Sequence, residues 1–137
     1  MRPVPSLRSS VRTLAVISLH TSPLALPGSG DSGGMNVYVR ELGGALAQAG
    51  VQTEVYVRKW RADLPEVVDV EPGFRVVHIP AGDPDLPKEH LTSTIDEFTE
   101  RVGHHIAGRG DVGAIHANYW LSGLVGHRLK HQFDLPL

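Results

Sequence analysis

Between residues 20 and 36 the chain reads HTSPLALPGSGDSGGMN, with two prolines and four glycines. No regular helix or strand tolerates that density of breakers, so the stretch is a long loop. What brackets it constrains the fold. Residues 12–19 are almost continuously apolar (Leu14, Ala15, Val16, Ile17, Leu19), as in a strand covered on both faces. After the loop, Met35, Val39, Leu42, Leu46 and Ala49 recur at three- and four-residue spacing, one face of a helix, and Gly50 is its stop signal. A helix opening on Gly33-Gly34 directly beyond a strand presents bare backbone N–H groups and the positive end of its dipole. That combination favours phosphate or another anion.

The rest of the chain extends the same pattern. Residues 52–57 alternate and are rich in β-branched side chains, a second strand. Residues 58–73 are polar and turn-rich, 74–79 read as a third strand, and 80–88 form a loop with three prolines. Leu91, Ile95, Phe98, Val102 and Ile106 share one face of a second helix, ended by Gly108 and Gly110. A short strand at 112–116 precedes a third helix, from 119 to about 131, with Leu121, Leu124, Val125 and Leu129 inward. Gly43-Gly44 inside the first helix are unfavourable, about 1 kcal/mol each relative to alanine, which close packing on a sheet explains. The order is that of the α/β class: a parallel, doubly wound, Rossmann-like sheet with right-handed crossovers. Ligands of such sheets sit beyond the carboxyl ends of the strands, where residues 20–36 and 116–120 both fall. Residues 1–11 read as a loose tail and 12–137 as one domain. Residues 133–137 resemble the turn into a further strand, so the domain reads as a truncated piece of something larger.

The loop is not a dinucleotide turn, because Gly28, Gly30, Gly33 and Gly34 do not make G-x-G-x-x-G, and no Gly-Lys-Ser/Thr follows for a P-loop. Thirteen basic against fifteen acidic residues leave no excess for a general nucleic-acid binder. No cysteine is present, which rules out a disulfide scaffold and thiol chemistry. No apolar run approaches the roughly 20 residues of a membrane span, so a cytoplasmic location is expected. His127 and His131 are four apart, but no acid follows His127, and they read as solvent-facing like His104 and His105. Trp120 reads as a core anchor.

Two stretches, HTSPLALPGSGDSGGMNVYVREL and HANYWLSGLVG, resemble the N-terminal domain of retaining GT-B glycosyltransferases of family 4, and the resemblance runs over residues 12–137. It implies the acceptor-side domain of a GT-B fold, whose partner would be a C-terminal Rossmann-like domain outside this sequence. The implied reaction moves N-acetylglucosamine from UDP-N-acetylglucosamine to inositol 3-phosphate, as in mycothiol biosynthesis. The nucleotide sugar is a co-substrate, with no further cofactor and no metal. The domain alone, holding half a cleft, is expected to be inactive. Other readings are a family member with a sugar-phosphate acceptor and a non-catalytic sugar-phosphate-binding domain. A homodimer is left open.

Carried over by position, the resemblance assigns acceptor binding to His20, Asp31, Ser32, Gly33, Gly34, Met35, Asn36, Lys88 and Tyr119. It assigns donor contacts to Leu26, Pro27 and Gly34, and no catalytic residue. Leu26 stands where the family usually has glutamine, and Asn118 where it often has a second histidine after His116. The departing phosphate can take the acceptor's proton, so no carboxylate pair is needed.

Overall fold

A computed structural model describes residues 13–20, 22, 24, 34–84 and 86–137, with the backbone alone for 34–36 and 88. Five strands form one sheet in the order β3-β4-β2-β1-β5: β1 (Thr13–Ile17), β2 (Gln52–Arg58), β3 (Val67–Glu71), β4 (Phe74–Ile79) and β5 (Val112–Ala117). Three helices accompany them: α1 (Gly34–Gln48), α2 (Ile95–Arg109) and α3 (Tyr119–Phe133), with a 3-10 helix at Lys88–Thr94 before α2. β1 pairs in parallel with β2 and β5, and β2 in parallel with β4.

The strand pleat divides the core in two. Ala15, Ile17, Tyr56, Val77 and Ile79 face α2 and α3, meeting Phe98, Val102, Ile106, Leu121, Val125 and Leu129. Their alternate neighbours Val16, Val55, Val57 and Val76 join Phe74 and face Val39 of α1. Side chains two residues apart in a strand share a face. The near-continuous apolar strands are therefore the signature of a sheet covered on both sides.

Residues 58–73 are not turn throughout. Val67–Glu71 forms β3, antiparallel to β4. The chain reverses through Pro72-Gly73, with Gly73 at φ 87°; proline presets the first central residue of such a turn and glycine accepts the left-handed second. The sheet is therefore parallel in its centre with one antiparallel edge. As an edge strand, β3 buries only part of each valine and carries Asp69 and Glu71, which weakens the periodic signal and guards the edge. Asp69 pairs across the turn with Arg75 at 3.4 Å.

Gly43 is where α1 touches the sheet: a Cβ there would lie 2.6–2.8 Å from ring atoms of Phe74. The close packing expected from Gly43-Gly44 is thus present. In α3 the inward set is Leu121, Ser122, Val125, Gly126 and Leu129. Two expectations fail there: Trp120 is 56% exposed and Leu124 46% exposed. The reason is the helix phase. Gly126 lies so close to β5 that a Cβ would sit 3.2 Å from Cβ of Ala117, and Ser122 is tied to β1. Small residues mark the face that approaches the sheet, and the two large side chains are turned away from it. At the far end, Asp134 in the left-handed region ends α3, and the Ile115 N–H donates to the Pro136 carbonyl at 2.9 Å. Residues 135–137 thus lie beside β5 without forming a strand.

Candidate ligand site at the carboxyl edge of the sheet

β1 and β5 are neighbours, and both deliver their chains to the same edge. The Asn118 N–H donates to the Ile17 carbonyl at 3.0 Å, which carries the β1–β5 pairing past the last strand residue. The Leu19 N–H donates to Ser122 Oγ at 2.9 Å in a fully buried bond. The exit of β1 is therefore fastened to the first turn of α3. Directly above, the rings of His20 and Tyr119 stack with centroids 4.3 Å apart and planes 29° apart. These two expected site residues, 99 positions apart, are brought into contact. Tyr119 has φ 74°, uncommon for a bulky residue and of the kind that collects at functional sites, where it costs on the order of 1–3 kcal/mol.

A second polar pair lies at the same edge. His116 is in register with Val16, whose side chain belongs to the α1 side of the sheet, so the pleat places His116 on that side. Its Nε2 lies 3.2 Å from Oδ1 of Asn118. A carboxamide oxygen only accepts, so Nε2 carries the proton. Asn118 is 7% exposed and sits at the N-cap of α3, yet its side chain makes no capping bond. Its Nδ2 is buried without a partner.

The helix ends differ in charge. α1 and α3 carry no acidic residue in their first turns, whereas α2 carries Asp96 and Glu97. Glu97 accepts the Gly82 N–H at 2.7 Å, and this bond, aided by Arg101, holds its carboxyl below the usual range. The first turn of α2 thus supplies its own anion, and the first turns of α1 and α3 hold none.

The loop leading to Lys88 is anchored from below. Arg58, 6% exposed at the end of β2, donates to the carbonyls of Ala81 (2.8 Å) and Asp83. Burial holds its guanidinium below the ordinary value. Lys88 opens the 3-10 helix, and its side chain lies outside the described residues. Gly34, Met35 and Asn36 form the start of α1, the last two known by backbone alone. Leu26, Pro27, Asp31, Ser32 and Gly33 lie outside the described residues. Ser122, which fastens the exit of β1 to α3, is signalled in the sequence only as a polar residue at a position where the helical period calls for an apolar one.

A groove of about 390 Å³ opens at the other edge, where strands begin. There Glu54, 3% exposed, accepts from the Tyr56 hydroxyl at 2.7 Å and pairs with Arg75 at 3.1 Å and with Arg109. Arg109 is spent on Glu54, Asp111 and Thr13. This network ties α2 to β1, β2 and β4.

A three-layer Rossmann-like sheet with helix ends at its carboxyl edge defines the class, an α/β domain of the kind whose ligands bind beyond the carboxyl ends of the strands. The chain belongs to the glycosyl transferase 4-like family, whose domain matches residues 33–137. It is 46% identical to a D-inositol 3-phosphate glycosyltransferase of Xylanimonas cellulosilytica over 129 residues, 90% of this chain and 30% of the relative. A protein of the same name from Kineococcus radiotolerans is 44% identical over 132 residues, 94% of this chain and 30% of its own. Sucrose-phosphate synthase from Thermosynechococcus elongatus superposes with a TM-score of 0.86 at 39% identity, over 90% of this chain and 31% of that one. The fold is thus of the GT-B type, and the chain spans about 30% of the length of the curated relatives it matches. Among the described residues no helix is long and apolar enough to cross a membrane.

Proposed function

We propose that this chain is the acceptor-binding part of a retaining glycosyltransferase that moves N-acetylglucosamine from UDP-N-acetylglucosamine to inositol 3-phosphate, an early step of mycothiol synthesis in the cytoplasm. The observation that carries the proposal is the His20–Tyr119 stack at the carboxyl edge, where Tyr119 opens α3 and the first turn of that helix holds no acidic residue. The relatives' names supply the acceptor.

In such a transfer a hydroxyl of the acceptor attacks the anomeric carbon on the face the diphosphate leaves. The new carbon–oxygen bond forms as the bond to the diphosphate breaks, and a phosphate oxygen takes the hydroxyl proton. The protein's part is positioning and stabilising charge. His20 and Tyr119 form one wall for the acceptor, Lys88 neutralises its phosphate, and Asp31, Ser32, Gly33, Gly34, Met35 and Asn36 are assigned to holding the same ligand. Gly34 lies against the donor diphosphate, with Leu26 and Pro27 beside the sugar nucleotide. A second Rossmann-like domain completes the cleft.

The likeness to sucrose-phosphate synthase favours one further reading, a hexose phosphate as acceptor. Titration of the 15N-labelled chain with inositol 3-phosphate, a hexose 6-phosphate and UDP-N-acetylglucosamine decides between them. Shifts at Gly34, Tyr119 and the backbone of Lys88 with inositol 3-phosphate, and not with the hexose phosphate, are the expected result. The reverse order moves the reading to the sugar-phosphate acceptor. A folded chain that responds to none of the three refutes an anionic ligand site.

A further inference from the structure

We propose that Asn118 is a ligand-binding residue whose Nδ2 donates a hydrogen bond to a phosphoryl oxygen of the ligand at the amino end of α1. This rests on the reading of the carboxyl edge as an anion site. Three observations converge on it. The side chain is more than nine-tenths buried and its nitrogen has no partner, an uncompensated desolvation that an incoming oxygen would relieve. It occupies the N-cap of α3 but forgoes the capping bond that asparagine ordinarily makes there, because Oδ1 is held by Nε2–H of His116. The His116–Asn118 pair also lies on the α1 side of the sheet, and the first turn of α1, which starts at Gly34, holds no acidic residue.

The pair therefore has a direction. His116 fixes which end of the carboxamide is free, and the free end is the donor. A neutral donor beside a helix amino end suits a phosphoryl group, and screening from water strengthens the bond. Two sources share that chemistry: the phosphate monoester of an acceptor and the diphosphate of a nucleotide sugar.

The test is the side-chain amide pair of Asn118 in 1H–15N spectra of the 137-residue chain, titrated separately with inositol 3-phosphate and with UDP. Movement of the pair with inositol 3-phosphate alone assigns the contact to the acceptor; movement with UDP alone assigns it to the donor diphosphate; either supports the proposal. A pair that stays still while the Gly34 amide shifts overturns the proposal and leaves the anion site standing. Stillness at both positions overturns both. In Asn118→Asp, Oδ1 stays with His116 while the donor becomes a like charge. Binding should weaken at least tenfold in the folded variant, whatever its melting temperature, since no capping bond of Asn118 is at stake. Unchanged affinity with a lowered melting temperature would make Asn118 purely structural. If that variant does not fold, the wild-type amide pair decides alone.

Discussion

His20 and Tyr119 stack on each other while Tyr119 holds a backbone angle that its size disfavours. The strain is offset by the ring contact and by the Leu19–Ser122 bond beneath it. Tyr119→Phe keeps the ring and should change stability by less than about 0.5 kcal/mol. It removes the polar tip of the wall proposed for the acceptor, and with it a hydrogen-bonding group, so the Kd for inositol 3-phosphate, measured by calorimetry, should rise roughly tenfold. His78 offers a second test. It is 1% exposed on β4, its Nδ1–H donates to the Pro65 carbonyl at 2.6 Å, and burial pushes its pKa below the ordinary value. A histidine depressed in the folded state binds its proton more readily when unfolded. Its contribution is therefore complete above the ordinary histidine value and is lost as pH falls below it through the folded value. Urea melts should show stability falling from pH 7 to pH 5, with a shallower fall in His78→Gln. The residue types at this edge were legible in the sequence. That His20 would meet Tyr119 was not, because their contact requires β1 and β5 to be neighbours.

At the scale of elements, helix phase is what sequence periodicity left open. The apolar positions of α3 admit more than one rotation. The observed one is selected by Ser122 and Gly126, whose small size lets the helix approach β1 and β5. Trp120 and Leu124 are exposed as a consequence. α1 obeys the same rule through Gly43 against Phe74. Gly43→Ala should cost about 1–3 kcal/mol by overpacking, although alanine is the better helix former. Pairing it with Phe74→Leu should recover part of that loss in a double-mutant cycle by denaturant unfolding. β3 escaped the reading because an edge strand buries half of each side chain and mixes its valines with charges.

At the scale of the whole molecule, the ion-pair network and the proposed ligand site lie at opposite edges of the sheet. At the edge where strands begin, Glu54 gathers Arg75, Arg109 and Tyr56 into one buried network. Removing the carboxylate takes the buried partner from two cations, so Glu54→Leu should lower the unfolding free energy by about 3 kcal/mol, the low end for a broken buried pair, because both arginines reach water and keep Asp69 and Asp111. Titration shifts of Gly34 and Tyr119 with inositol 3-phosphate should survive that change wherever the variant remains folded, since those residues lie at the opposite edge. The sequence by itself determined the α/β class, the order of most elements, the glycine-opened helix and the family, because these rest on local periodicity and on contiguous motifs. Only the tertiary structure decided which strands are neighbours, which way α3 is rotated, and that Asn118 turns its oxygen to His116 and leaves its nitrogen free. Those features depend on side chains distant in the chain competing for the same space and the same hydrogen bonds, and no local pattern records the outcome.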